Sequence, residues 1–257
     1  MALVSQHVPV VSWTEPDGIA PRGTLVVIPG RGERPELYER FGRRIAADGY
    51  RVHAVANPVE DAGLTVSQVS AELGGPRPVV LVGSDTGALF AAGLAASRQL
   101  DGVEALVLAG LPVEQPGRPP VEQPAGQPAG TGAADWDAEL DTRTACPAHR
   151  TRLAGPGLVR GALYAPVPDG WDRLADLSAV TQPVLGVHGA DDPVSPLAAA
   201  RARYAAAPHA ELVSIAGGRH DALNDATHRT VAATIVLFLE RLRLGPQLPA
   251  IATSELP

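Results

Sequence analysis

Short apolar runs recur along most of the chain, separated by segments of mixed polarity. The runs at residues 78–82, 105–109 and 184–187 are rich in Val, Leu and Ala and contain no charged residue. Uninterrupted apolar runs of this length are typical of strands that are buried on both faces of a sheet. Further strands are predicted at residues 8–13, 23–28, 51–56 and 211–215.

The segments between these runs have helical periodicity. Leu37, Phe41 and Ile45 fall on one face of a helix predicted over residues 36–48. Strands that alternate with helices at this spacing predict an α/β fold with a doubly wound, mostly parallel sheet. Other helices are predicted at residues 64–73, 87–99, 135–152, 170–177, 197–207 and 227–242.

The alternation stops between residues 112 and 181, where no clear strand occurs. A structureless loop of this length is uncommon in a compact domain, so we expect an inserted helical cap. Residues 112–132 repeat the sequence Val-Glu-Gln-Pro, and this composition predicts a mobile, Pro-rich linker. The predicted organisation is a core of residues 1–111 and 182–244, a cap of residues 112–181, and a loose, Pro-containing tail of residues 245–257.

Composition excludes several classes of function. The net charge of −7 and the lack of a basic run argue against nucleic-acid binding. Cys146 is the one cysteine, so neither an intrachain disulfide nor a cysteine-rich metal site is expected. The apolar run at residues 231–239 is too short to span a membrane, and no signal peptide is apparent, which predicts a cytoplasmic protein. No phosphate-loop or dinucleotide motif occurs, so we expect no cofactor and no metal, and a small molecule as the partner.

Three motifs follow predicted parallel strands, at the sheet edge where α/β folds bind ligands. The first, Gly83-Ser84-Asp85-Thr86-Gly87, has the Gly-x-nucleophile-x-Gly spacing of a nucleophile elbow, with an aspartate at its centre. The second begins with His188-Gly189 and contains Asp192. The third is Gly217-Gly218-Arg219-His220-Asp221, ahead of the last long helix.

These motifs, in this order, resemble those of α/β-hydrolase-fold enzymes over nearly the whole chain, and the chain as a whole is similar to bacterial lysophospholipase-like hydrolases. The resemblance implies a triad in which Asp192, three residues after Gly189, is the acid and His220 is the base. It also implies an oxyanion hole formed by the backbone N–H groups of Arg31 and Thr86.

An aspartate at the elbow resembles the epoxide hydrolases and the haloalkane and fluoroacetate dehalogenases. The resemblance implies that Asp85 attacks a polarised sp³ carbon to form an ester, which water activated by His220 then hydrolyses. The sequence departs from both classes: Thr86 stands where dehalogenases carry a tryptophan, and the cap has one tyrosine, Tyr164, where epoxide hydrolases use a pair. Tyr164, Trp136 and Trp171 are therefore the candidate substrate-binding donors of the cap.

Three functions are open at this point. The first is an epoxide-hydrolase-like enzyme with Asp85 as nucleophile. The second is an esterase-like or non-hydrolytic enzyme in which Asp85 and His220 act as an acid–base pair. The third is a ligand-binding homologue without catalysis, in which Asp85 only caps the following helix.

Other polar residues near these motifs have simpler interpretations. Arg31 and Arg219 either recognise an anionic substrate or are solvated, solvation being the more common case for arginine. Asp191 and Asp221 are interpreted as loop and helix-cap residues. The six remaining histidines do not have the spacing of metal ligands, and His188 is expected to form a hydrogen bond with the backbone. Cys146 is expected to be a buried thiol.

Overall fold

A seven-stranded sheet forms the centre of the molecule in the computed structural model, which describes residues 8–113, 133–253 and 255. The strand order is β1-β3-β2-β4-β5-β6-β7, and β1 alone runs antiparallel to its neighbour. The strands are β1 (Val11–Trp13), β2 (Thr24–Ile28), β3 (Arg51–Ala54), β4 (Val79–Ser84), β5 (Ala105–Ala109), β6 (Val184–Gly189) and β7 (Ala210–Ile215). The predicted α/β class with a doubly wound, mostly parallel sheet is confirmed.

Helices cover both faces of the sheet because alternate strand residues point to opposite sides. In β2, Leu25 and Val27 join one apolar core, whereas Val26 and Ile28 join the other. Helices α1 and α8 pack on the first core, and α2, α3 and α7 on the second. The helices are α1 (Glu39–Ala47), α2 (Ala62–Glu72), α3 (Thr86–Ala96), α4 (Ala133–Arg143), α5 (Pro147–Leu153), α6 (Trp171–Leu174), α7 (Leu197–Tyr204) and α8 (His228–Arg243).

The insertion between β5 and β6 is helical where it is described. The helix predicted over residues 135–152 is two helices, α4 and α5, because Pro147 starts a new helix after a break. In the break, the Thr144 hydroxyl and the Ala145 N–H both donate to Asp225. Residues 114–132 of the predicted linker lie outside the described residues, and the division into core and cap stays a prediction.

Two other predicted segments differ from the structure. The helix predicted over residues 170–177 is only α6 followed by a 3-10 turn at Leu177–Ala179. In the predicted loose tail, Leu248 is buried in the core, and its carbonyl accepts a hydrogen bond from Arg241 Nε. None of the helices within the described ranges is long and apolar enough to cross a bilayer.

Candidate active site

Asp85 occupies a tight turn between β4 and α3. Its backbone lies at φ 49° and ψ −124°, a conformation that L-residues rarely adopt, and its side chain is buried. The flanking glycines are required by close packing: a Cβ on Gly87 would lie 2.1 Å from the Ile28 carbonyl oxygen, and one on Gly83 would lie 2.4 Å from Ala88 Cα. The turn therefore holds Asp85 at the carboxyl edge of the sheet, in the geometry of a nucleophile elbow.

The structure brings Asp85, Asp192 and His220 together at this edge. His220 Nδ1 is 2.9 Å from Asp192 Oδ2, and His220 Nε2 is 3.2 Å from Asp85 Oδ1. The other oxygen of Asp192, Oδ1, accepts the backbone N–H groups of Val194 and Ser195, which fixes the orientation of the carboxylate. The imidazole thus bridges the two carboxylates, and all three side chains are buried.

Charge in this trio shifts all three pKa values. Burial lowers the pKa of His220, but Asp192 and Asp85 outweigh burial and raise it to about 10. Burial raises the pKa of Asp85, but Arg31 and His220 outweigh it and hold that pKa well below its usual range. The pKa of Asp192 is lowered too, because His220 outweighs the effect of burial. At neutral pH, an imidazolium therefore lies between two carboxylates.

His188 supports the Asp192 loop from behind. Its Nε2 is 2.6 Å from the Ser195 carbonyl oxygen, which is the backbone contact expected from the sequence, and 3.4 Å from Asp192 Oδ2. Burial lowers the pKa of His188, so this ring is neutral beside the charged trio.

Arg31 makes the strongest contact with Asp85. Its guanidinium donates from Nε to Oδ2 at 2.8 Å and from Nη2 to Oδ1 at 2.9 Å, while Nη1 donates to the carbonyl oxygen of Ala165 at 2.7 Å. The expectation of a solvated arginine is wrong, because the side chain of Arg31 is only 8% exposed. The sequence had no signal for this ion pair, since the loop around Arg31 does not reveal where its side chain points.

The two N–H groups predicted for an oxyanion hole lie beside the Asp85 carboxylate and its backbone. The Arg31 N–H donates to Asp85 Oδ2 at 2.8 Å. Thr86 begins α3 directly after Asp85, and within the described ranges neither its N–H nor its buried hydroxyl has a hydrogen-bond partner. Their role in an oxyanion hole stays a prediction.

A second group of buried charges lies beside the first. We call it the Arg143 cluster; it consists of Arg143, Glu33, Glu139, Asp221 and His149. The guanidinium of Arg143 is 3.2 Å from both Glu33 and Glu139 and 3.6 Å from Asp221, and His149 Nε2 is 3.2 Å from the other oxygen of Asp221. Asp221 lies in a loop, as interpreted from the sequence, but its side chain is buried in an ionic contact that the sequence did not indicate.

The Arg143 cluster connects helix α4 with the loop of Arg31 and the loop of His220. Arg143 Nη2 donates to the Arg31 carbonyl oxygen at 3.0 Å, and the Arg143 carbonyl accepts the Asp221 N–H at 2.8 Å. Glu33 accepts the Gly30 N–H at 3.0 Å, and burial together with Asp221 raises its pKa to about 7. No motif in the sequence indicates Arg143, Glu33 or Glu139 as site residues.

The three cap aromatics have different surroundings. The Trp171 ring packs on Phe90, with the ring centroids 5.0 Å apart. The Arg160 guanidinium lies 4.8 Å from the centroid of the Trp136 ring. Tyr164 is half-buried and directly precedes Ala165, the residue that accepts from Arg31. A role of these residues in substrate binding stays a prediction.

The remaining residues singled out from the sequence lie outside these contacts. Asp191 is exposed, and Arg219 is half-buried, with its backbone N–H donating to Asp225. Cys146 is buried, as expected, with its sulfur 3.2 Å from Arg40 Nη1. Within the part of the chain that the structure describes, no set of three His, Cys, Asp or Glu residues is grouped to hold a metal ion.

Comparison with models of protein families finds no match, and comparison with curated proteins finds none either. Solved structures do match. The monoacylglycerol lipase of Paleococcus ferrophilus aligns at 18% identity and a TM-score of 0.70, over 91% of this chain and 98% of that one. A soluble variant of monoglyceride lipase from Saccharomyces cerevisiae aligns at 17% identity and a TM-score of 0.66, over 90% and 91% of the two chains.

The esterase RhEst1 of a Rhodococcus species also matches, at 20% identity and a TM-score of 0.65, over 90% of this chain and 98% of that one. Each alignment spans nearly the whole of both chains. At these identities, structural likeness establishes the fold and leaves the reaction open. The chain therefore adopts the fold of the α/β-hydrolase superfamily.

Proposed function

We propose that this chain hydrolyses a small molecule through an ester on Asp85, attacking an electrophilic sp³ carbon, in an epoxide more than in an alkyl halide. One observation carries the proposal: the two oxygens of Asp85 have different surroundings. Oδ1 faces His220 Nε2 at 3.2 Å, and Oδ2 accepts the Arg31 N–H at 2.8 Å. An aspartate whose ester is later hydrolysed on the enzyme needs such a division. One oxygen bonds to the substrate carbon, and the other carries the negative charge of the tetrahedral intermediate.

In the first step, Asp85 Oδ1 forms a bond to the substrate carbon while the carbon–oxygen bond of the epoxide breaks. The leaving oxygen needs a proton, and the His220 imidazolium beside Oδ1 supplies it. The raised pKa of His220 supports this role, because the ring is protonated before the reaction begins.

In the second step, Asp85 is an ester and no longer carries the negative charge that helped to raise the pKa of His220. His220, held by Asp192, is then a neutral base and takes a proton from water as the water oxygen attacks the Asp85 carboxyl carbon. Negative charge develops on Oδ2, facing the N–H groups of Arg31 and Thr86. Collapse breaks the bond between the Asp85 carboxyl carbon and Oδ1, which leaves with the product and takes the second proton of the water. The water oxygen stays on Asp85, and Asp85 and His220 return to their starting charges.

An ester substrate fits Asp85 less well as a nucleophile. A carboxylate that attacks an ester carbonyl produces an anhydride of high energy, whereas attack on an sp³ carbon gives a stable ester. For this reason we do not extend to this chain the lipase and esterase activities in the names of the similar structures.

A second candidate function is acid–base chemistry, hydrolytic or not, in which Asp85 and His220 exchange protons with the substrate. The observation that favours it is the Arg31 guanidinium, which donates to both oxygens of Asp85 and so lowers the nucleophilicity of the carboxylate. In this case Asp85 never forms a covalent bond.

Trapping of the ester separates the two candidates. The variant His220→Gln keeps a hydrogen-bonding side chain but has no base, so an ester on Asp85 should persist. After incubation with a panel of epoxides and alkyl halides, the peptide containing Asp85 should gain the mass of the organic group by mass spectrometry. The halides belong in the panel because a leaving halide needs no proton from His220.

Two variants control the trapping experiment. In the His220→Gln background, Asp85→Asn should abolish the mass gain, whereas Asp191→Asn, the same change at the exposed neighbour of Asp192, should retain it. In wild-type enzyme, one turnover in ¹⁸O-water should place the label in Asp85. Label that enters the product directly, with Asp85 unlabelled, would contradict the nucleophile and support the acid–base candidate.

A further inference from the structure

Arg31 is a buried cation that has a single counterion. Its residue is 6% exposed, and Asp85 is the one carboxylate within ion-pair distance among the residues that the structure describes. A buried charge is tolerated only when it is paired, and removing one partner of a buried pair is strongly unfavourable. The chemistry of Asp85 therefore determines whether Arg31 stays paired.

The ester intermediate of the proposed function removes this counterion. Once Asp85 is alkylated it carries no charge, and the guanidinium of Arg31 loses the partner that it holds through two hydrogen bonds. Neighbouring carboxylates are engaged elsewhere: Asp192 binds His220 and two backbone N–H groups, and Glu33 binds Arg143 and Gly30. The replacement anion has to come from the substrate.

Two N–H groups of the Arg31 guanidinium have no acceptor among the described residues. Of its five N–H bonds, three have acceptors in the described residues, namely both oxygens of Asp85 and the Ala165 carbonyl. One N–H remains on each of the two terminal nitrogens. Two donors on neighbouring nitrogens match the two oxygens of a carboxylate, whereas a released halide is a single atom.

We infer that the substrate of this site carries a carboxylate close to its electrophilic carbon, and that this carboxylate binds the Arg31 guanidinium. The inference rests on the proposed function, since it is the alkylation of Asp85 that leaves Arg31 unpaired. Arg31 then has two roles: its backbone N–H faces the oxyanion, and its side chain selects for a charged substrate.

The test compares two probe pairs in which only the charge changes: glycidate with glycidamide, and 2-bromopropionate with 2-bromopropionamide. In the His220→Gln variant, we expect each carboxylate to label Asp85 at least about tenfold faster than its amide, the difference that one charged hydrogen-bonding contact makes. In the double variant His220→Gln/Arg31→Gln, this ratio should fall to about one. The ratio cancels any change in the nucleophilicity of Asp85 itself, because both probes of a pair react with the same carboxylate.

Arg219 provides the matched control, because it precedes His220 and its side chain has no contact with Asp85 among the described residues. The variant Arg219→Gln should leave the carboxylate-to-amide ratio unchanged in the His220→Gln background. Amides that label as fast as carboxylates while Arg31 is present, or a ratio that Arg31→Gln does not alter, would overturn the inference.

A binding measurement separates failure of the inference from failure of the proposed function. Propionate should raise the melting temperature of wild-type protein, and propionamide or chloride at matched ionic strength should not; Arg31→Gln should abolish the effect of propionate. If propionate binds in this way but no probe labels Asp85, the covalent function fails and the carboxylate site stands. If propionamide or chloride stabilises the protein as much as propionate does, the carboxylate site is overturned whatever the labelling shows.

Discussion

Two buried groups of charged side chains lie side by side in this protein, and their charges are compensated to different degrees. Around Asp85, two cations (Arg31 and the His220 imidazolium) face two carboxylates in close pairs of 2.8–3.2 Å. In the Arg143 cluster, one guanidinium faces three carboxylates at 3.2–3.6 Å. The first group is balanced by direct pairing, whereas the second has more negative than positive side chains.

This difference explains the opposite pKa shifts of the carboxylates. The pKa of Asp85 is well below its usual range because a guanidinium and an imidazolium both bind it. The pKa of Glu33 is raised to about 7, because burial and the neighbouring Asp221 outweigh Arg143.

Removing Arg143 should have the largest effect on stability. Arg143→Met retains most of the side-chain volume but leaves Glu33, Glu139 and Asp221 without their cation, which should cost about 3–5 kcal/mol in the free energy of unfolding. Urea unfolding at pH 7 measures this loss.

Arg150→Met is the matched control, since Arg150 lies on the neighbouring helix α5 and pairs with the exposed Asp141. This change should cost no more than about 1 kcal/mol. Equal losses for the two variants would mean that the Arg143 cluster contributes no more than a surface ion pair.

The balanced group around Asp85 should make stability depend on alkaline pH. His220 has a pKa of about 10 in the folded protein, whereas an unfolded histidine titrates near 6.5, so the folded state binds more protons between these values. The free energy of unfolding is therefore at its full value below about pH 6.5 and should decrease as pH rises toward 10.

The decrease should reach the order of 3 kcal/mol by about pH 9, since each unit between the two pKa values contributes about 1.4 kcal/mol. Urea unfolding at a series of pH values measures it, and His220→Gln isolates the contribution of this ring, because the variant should lose the slope. A wild-type profile parallel to that of the variant would show that His220 is not protonated between Asp85 and Asp192.

A smaller effect tests the elbow that positions Asp85. Gly87→Ala places a methyl group 2.1 Å from the Ile28 carbonyl oxygen, and this overlap should cost about 1–3 kcal/mol. Gly93→Ala, in the same helix α3, meets its nearest atom at 3.6 Å and should stabilise the protein by about 0.5–1 kcal/mol. Thermal unfolding of the pair should give shifts of opposite sign, and a stabilising Gly87→Ala would mean that the elbow backbone can relax.

The two groups also differ in how far the sequence predicts them. Three site residues each follow a strand that the sequence predicts: Asp85, Asp192 and His220. In a parallel sheet, the carboxyl ends of these strands lie at the same edge. Their proximity could therefore be anticipated from local motifs. The Arg143 cluster depends on how α4 packs against the loops, and the amphipathic pattern of α4 does not specify that packing.

Arg31 shows a finer limit of sequence analysis. Its backbone position follows from the loop after β2, but the direction of its guanidinium depends on Asp85 and on the carbonyl of Ala165, a residue more than 130 positions away. The break between α4 and α5 has both a local and a long-range component: Pro147, visible in the sequence, starts α5, whereas the contacts of Asp225 with Thr144 and Ala145 come from the fold.

The hydrogen bonds at the carboxyl end of α4 have a consequence for the geometry of the site. The Arg143 carbonyl holds the Asp221 N–H, next to His220, while its guanidinium holds the Arg31 carbonyl. Because both bonds belong to Arg143, a displacement of this residue from the sheet would break them together and free the His220 loop along with the loop of Arg31. The positions of two groups beside Asp85 therefore depend on one residue at the end of α4.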